Sequence, residues 1–484
     1  MLDAEVQQGW LTPQQRAAAT FPRIPARPGG GMSGTGGFLV SYVQSELARH
    51  GISADDLARG GLKIYTSIDR AAEDKAVSAV QAERPRTDAK GVRVGLASVD
   101  PNTGAIVAMY GGQDYGNPQY LNDATQSIAQ AGSTFKPFTL AAALENGITL
   151  GSRWDGSSGR VYTDVNGART PPIANEDHHS YGRITLLRAT EESVNTVFVD
   201  VENQRRVGAA KVVDAARRAG IPDDVAIEPT LSATLGVASP TALDMAGAYA
   251  TFASGGLRNQ PTAVLRVVGA NGGILYELHA QPVRAFDQDV VAQVDYALQH
   301  VVTDGTGYLA RGVGRPVAGK TGTTDSNLSA WFVGYTPQLS TSVMLFRTGS
   351  DGTSRASLAG VGGFQRVNGG SYPAAIWTAY MKAALDGTPV LPFPQPSTLP
   401  AASPTPSPSA TPTPSHSPSP TPKPSPTPSG SPTPTPSSSP SASPSGSAAG
   451  SQPPSAPASP AAPATPATAA GGVPGILSAG DRRP

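Results

Sequence analysis

Apolar positions recur at helical spacing over Glu5–Ala19, Phe38–His50 and Arg70–Ala82, and each stretch is predicted to be a helix. A Pro/Gly-rich break at 26–31 separates the first two. Leu62–Ile68 alternates apolar with polar and reads as a strand. Val92–Val99 and Ala105–Tyr110 are β-rich runs joined by Asp100-Pro101-Asn102-Thr103-Gly104, a strong hairpin turn. From Gly132 to about Ser254 the spacing is mostly helical, broken by a polar loop near 151–182. Strands return at Pro316–Thr323, Ala330–Tyr335 and Leu339–Phe346, the last two turned by Thr336-Pro337-Gln338. A helix over Ala374–Leu385 closes the body. Strands at both ends with helices between them predict an α+β fold, an antiparallel sheet flanked by helices and carrying an inserted all-helical subdomain.

After Leu391 the pattern disappears. That stretch holds 28 of the 47 prolines in 484 residues and four charged side chains, too little to build a core. Its Pro-Ser-Thr alternation predicts a disordered, polyproline-rich spacer over 391–484.

Charge and rare residues exclude several classes. With 36 basic and 36 acidic side chains there is no basic surplus to neutralise phosphates, so no nucleic-acid partner is expected. No cysteine means no disulfide and no thiolate chemistry. Six histidines lack a metal-ligand spacing, and the adjacent His178 and His179 read as a polar loop, so neither metal nor cofactor is expected. Met1 is followed by Leu-Asp-Ala-Glu rather than a targeting segment, and no apolar run is long enough to span a bilayer.

Three short motifs carry candidate chemistry. Ser133-Thr134-Phe135-Lys136 opens an apolar helix, and its spacing puts Ser133 and Lys136 on one face. A buried lysine there loses its proton readily and can take one from the serine. Lysine is scarce here, 8 against 28 arginines, and arginine cannot be deprotonated. Ser193-Val194-Asn195 follows a helix starting near Ile184, where a hydroxyl and an amide can face one cavity. Lys320-Thr321-Gly322-Thr323 lies on a strand, with Lys320 and Gly322 on one face and Thr321 and Thr323 on the other. A cation and hydroxyls along an open strand edge suit a carboxylate on an extended peptide. Singly, each motif also fits an ordinary helix start, cap or edge strand. Together, once each and in this order, they match the motif set of penicillin-binding proteins and β-lactamases.

The body resembles the transpeptidase domain of class A (bifunctional) penicillin-binding proteins over roughly 1–390. The resemblance rests on GGLKIYTSID, DPNTGAIVAMYGG, NDATQSIAQAGSTFKPF, SPTALDMAGAYATFASGG, AGKTGTT before AWFVGYTP, and GGSYPAAIW. It implies a connector at 1–61 and the transpeptidase domain at 62–390; the membrane anchor and glycosyltransferase domain that normally precede it in the family are expected to be lacking here, a departure from the family pattern. It implies Ser133 as acylated nucleophile, Lys136 as its base, and Ser193 as proton relay to the leaving D-alanine. Asn195 would bind the stem-peptide amide, and Lys320, Thr321, Gly322 and Thr323 the substrate's terminal carboxylate and backbone. Backbone N–H groups of Ser133 and Thr323 would form the oxyanion hole. The implied partners are D-Ala-D-Ala stem peptides, an amine acceptor and β-lactams, on the outer face of the membrane or in the wall. Where the family usually has Asp before Ala330-Trp331-Phe332, this chain has Ser329, expected to alter a local surface contact. Alternatives are a DD-carboxypeptidase or an acylated sensor without turnover. A class A β-lactamase is disfavoured, because no Glu-x-x-Leu-Asn segment lies between the second and third motifs.

Overall fold

The computed structural model describes residues 2–19, 32–116, 119–164 and 167–397. The break at 26–31 and the spacer from 398 onward lie outside the described residues.

The central sheet is antiparallel throughout. The strands are β1 (Val92–Val99), β2 (Ile106–Tyr110), β3 (Ala318–Thr323), β4 (Ser329–Thr336) and β5 (Leu339–Thr348). Their order is β3-β4-β5-β1-β2, with the short strand Arg355–Ala356 also pairing with β5. The predicted hairpin is therefore present, with Leu96 opposite Tyr110.

Period-two alternation sorts the side chains onto two faces. Val94, Leu96, Phe332, Val343 and Leu345 pack with Trp377 and Tyr380 of α6 (Tyr372–Ala384) and with α1 (Arg70–Glu83). Ala97, Trp331, Val333, Tyr335 and Met344 face the other way, joining Phe138 of α2 (Lys136–Glu145) and Tyr249 of α4 (Ala242–Ala253). Helix α2, which follows the turn carrying Ser133, is thus clamped in the larger core. The inserted helices carry, besides, a short strand pair, Arg153–Asp155 with Arg183–Thr185.

Three features differ from the sequence reading. Glu5–Ala19 is two helices, Leu2–Gln7 and Pro13–Ala18, separated where Gly9 turns left-handed (φ +73°) and Thr12 caps the second. A three-stranded sheet, Lys63–Thr66, Val264–Val268 and Ile274–Glu277, uses the predicted strand at 62–68 plus two strands that were not foreseen. Glu46 of helix Gly36–Arg49 seals it by accepting the N–H groups of Ala263 (2.9 Å) and Val264 (3.0 Å). Finally, Phe393, in the stretch assigned to the spacer, is buried against the Tyr335 ring.

Helix α5 (Gln288–Thr303) buries a carboxyl behind β4. Tyr335 donates to Asp295 Oδ1 at 2.6 Å, Oδ2 has no partner among the described residues, and burial pushes the acid up to about 8. Glu202 rises to about 8 and Glu73 to about 7 for the same reason. Such a group keeps its proton in the folded state and releases it near pH 4 once unfolded. Its stabilising effect is therefore complete below pH 4 and is lost as pH rises to about 8. Thermal melts between pH 5 and 8 are expected to show falling stability with rising pH, and Asp295→Asn a shallower slope. Identical slopes for the two proteins would refute the assignment to Asp295.

Candidate active site

The first two motifs meet at the buried Lys136 nitrogen, and the third joins them through the Ser193 hydroxyl. Gly132–Phe135 forms a single 3-10 turn that runs into α2, so Ser133 and Lys136 lie one turn apart. Lys136 Nζ stands 3.0 Å from Ser133 Oγ, 2.6 Å from Ser193 O, 2.7 Å from Asn195 Oδ1 and 3.2 Å from Ser193 Oγ. The two shortest contacts are to carbonyl oxygens, which only accept. A neutral amine donates both its N–H bonds to them and keeps its lone pair for the serine hydroxyls. Burial drives Lys136 well below its ordinary value, with the neighbouring charge of Lys320 acting in the same direction.

Ser193 holds the middle of the site by an unusual backbone. Its φ of +57° is left-handed, a conformation serine adopts at a cost of about 1–3 kcal/mol. The helix Leu186–Glu191 ends just before it, and α3 (Asn195–Glu202) begins just after it. The bend aims both its carbonyl and its hydroxyl at Lys136. Lys320 Nζ reaches the same hydroxyl at 2.7 Å. Ser193 Oγ therefore bridges two lysines. Burial lowers Lys320 to about 7.

Asn195 has a role the sequence did not reveal. Its Oδ1 holds Lys136, and its Nδ2 donates to Ala174 O at 2.8 Å, so the amide is oriented by the protein itself.

Strand β3 lies at the sheet edge, as the open-edge reading expected. Lys320 points to Ser193, and Gly322 lets the nucleophile segment close in: a Cβ there would stand 2.5 Å from Ala131 O. Thr321 and Thr323 turn the other way and line a cleft of about 540 Å³ with Asn368, Gly370 and Tyr372. Thr321 Oγ1 pairs with Thr306 Oγ1 at 2.8 Å, and Thr323 Oγ1 accepts from Gly369 N at 3.2 Å. All eight residues singled out in the sequence thus gather along one site and its adjoining cleft. Ser329 does not lie at the surface: it is 1% exposed, and its hydroxyl donates to Gln130 O at 2.7 Å.

Among the described residues no group of acids and histidines is placed to hold a metal, and no helix is long and apolar enough to cross a membrane.

Ser133, Lys136, Ser193 and Lys320 are thus joined by hydrogen bonds into one buried cluster beside the open strand edge. Residues 95–361 match the penicillin-binding protein transpeptidase domain, and the chain belongs to that family. It is 34% identical over 424 residues to penicillin-binding protein 1A of Mycolicibacterium smegmatis, covering 82% of this chain and 52% of that protein. Against penicillin-binding protein 1A of Mycobacterium tuberculosis it is 33% identical, covering 82% of this chain and 49% of the relative. The chain spans about half the length of these relatives. Its fold matches the structure of PonA1 from Mycobacterium tuberculosis in complex with penicillin V, with TM-score 0.65 and 32% identity over 76% of this chain and 97% of that one. Penicillin-binding protein 1A from Haemophilus influenzae, at 19% identity and TM-score 0.64, shares the fold.

Proposed function

We propose that this chain is a peptidoglycan DD-transpeptidase that works through an ester on Ser133. The observation that carries the reading is the position of Lys136 Nζ, with both N–H groups committed to carbonyls and its lone pair left for the hydroxyls. Ser133 Oγ attacks the carbonyl between the two D-alanines while its proton passes to Lys136. The oxyanion is met by the backbone N–H groups of Ser133 and Thr323, donors worth about 3 kcal/mol each in comparable sites. Ser193, hydrogen-bonded to both lysines, passes a proton to the departing D-alanine amine. An amine of a second stem then attacks the ester, forms the cross-link and frees Ser133.

Lys320 receives the substrate's terminal carboxylate. Burial holds its proton weakly, near 7, and an anion beside it raises that affinity. Gly322 allows close approach to the strand edge, while Thr321 and Thr323 line the cleft beside it. β-Lactams present a similar carboxylate and acyl group and are the expected covalent inhibitors. The reaction takes place on the wall side of the membrane. The domain begins at 62, preceded by a connector at 1–61, and runs through Phe393, which packs on Tyr335, before the spacer follows.

Incubation with a D-Ala-D-Ala peptide and an excess of a labelled D-amino acid tests this reading. Label appearing in the peptide at a rate above hydrolysis supports transfer. Hydrolysis alone would establish a carboxypeptidase instead, and a lasting penicillin adduct with neither product a sensor.

A further inference from the structure

The segment Gln130–Gly132, just before Ser133, is held from two sides. On one side, Ala131 N donates to Ala238 O at 2.9 Å and Gly132 N to Gly236 O at 3.0 Å. On the other, Gln130 O receives the Ser329 hydroxyl at 2.7 Å and the Trp331 indole N–H at 2.8 Å. A carbonyl oxygen has two lone pairs, and these two donors fill both.

Both donors are rigid. Trp331 is fully buried in the core, and Ser329 is tied by its own N–H to Thr324 Oγ1 at 3.1 Å. They stand two residues apart on β4, so they share a face. Trp331 lies directly opposite Gly322 of β3, and Ala330 opposite Thr323. The strand that carries Lys320 and Thr323 and the segment that carries Ser133 are therefore registered against the same stretch of β4.

We propose that Ser329 and Trp331 are positioning residues which, by holding the Gln130 carbonyl, set the distance between Ser133 and the Lys320–Thr323 edge. The inference rests on the reading of Ser133 as the acylated serine. Neither side chain touches the reacting atoms. Their effect falls on the geometry of attack, where a misplacement of about 1 Å can cost up to about a hundredfold in rate. Binding of the β-lactam before attack, made by Lys320 and the cleft, is left intact.

Time-resolved acylation of the full chain by penicillin separates the acylation rate constant from the dissociation constant of the preceding complex. Ser329→Ala and Trp331→Phe are each expected to lower the rate constant about tenfold and leave the dissociation constant within about twofold. Ser329→Thr, which keeps the donor, is expected to retain most of the rate. Because both side chains act on one carbonyl, the double variant is expected to lose less than the product of the two losses. Cooperative melting of each variant accompanies the measurement. A wild-type rate constant in Ser329→Ala overturns the proposal. So does a loss confined to the dissociation constant, a threonine variant as slow as alanine, or slowing that appears only with loss of cooperative melting. A wild-type protein that penicillin fails to acylate removes the underlying reading, and this proposal with it.

Discussion

Arginine in place of Lys136 is expected to leave Ser133 almost unacylated by penicillin, its rate constant down by about a thousandfold. The substitution fixes a positive charge there and removes what matters, a nitrogen that can be neutral at neutral pH. Lys136 Nζ is fully buried and already gives its two shortest contacts to Ser193 O and Asn195 Oδ1. A guidinium offers only N–H donors to Ser133 and has no lone pair to receive its proton. It also forces a second permanent charge beside Lys320, whose own proton is weakly held. Quenched-flow labelling with a fluorescent penicillin, beside melting curves, measures the effect. Acylation within about tenfold of wild type in a folded variant would dismiss Lys136 as the base.

The second large effect concerns a residue that bears no functional group. Gly236 has φ +69° and lies directly on the backbone of Gly132, so a Cβ would collide with Gly132 O and N. Both segments are main chain, and neither can swing aside as a flexible side chain would. Gly236→Ala must either break the Gly132 N–H to Gly236 O bond or displace the turn carrying Ser133. Left-handed strain adds to the collision. The expected outcome is a loss of about 3 kcal/mol or more of stability, together with acylation slowed by about a hundredfold. Thermal melting and penicillin acylation of the same sample measure both. A variant with wild-type melting and wild-type acylation would show that the loop is free to move.

Much of this architecture is legible in the sequence because it follows from local pattern. The hairpin turn at Asp100–Gly104, the apolar run after Lys136 and the alternation around Lys320 each announce their element. The motif order then singles out residues that the fold gathers in one place. What escapes is set by tertiary contacts. No local rule indicates that Ser193 turns left-handed, because the gain is two bonds to a lysine far along the chain. Asn195 reads as a ligand-binding amide, and what the sequence does not show is that Lys136 and Ala174 O also hold it in place. Ser329 reads as a surface residue because it is small and polar. It is buried because a distant carbonyl, that of Gln130, needs a donor. The strands at 264–277 are too short and irregular to stand out, and Glu46 completes their hydrogen bonding from another element.

The order of strands in the central sheet has a bearing on how the chain is made. β1 lies between β2 and β5, and its Ser98 pairs with Thr341 across 243 positions of sequence. During synthesis from the N-terminus, the β1–β2 hairpin emerges with one edge bare and waits for most of the body before that edge is covered. The same delay governs reactivity, since Ser133 and Ser193 appear early and Lys320 late. Long-range pairings of this kind slow folding and prolong the exposure of unpaired strands. Competence to take up penicillin would thus arise near the end of assembly, which makes covalent labelling a clock for completion of the native state.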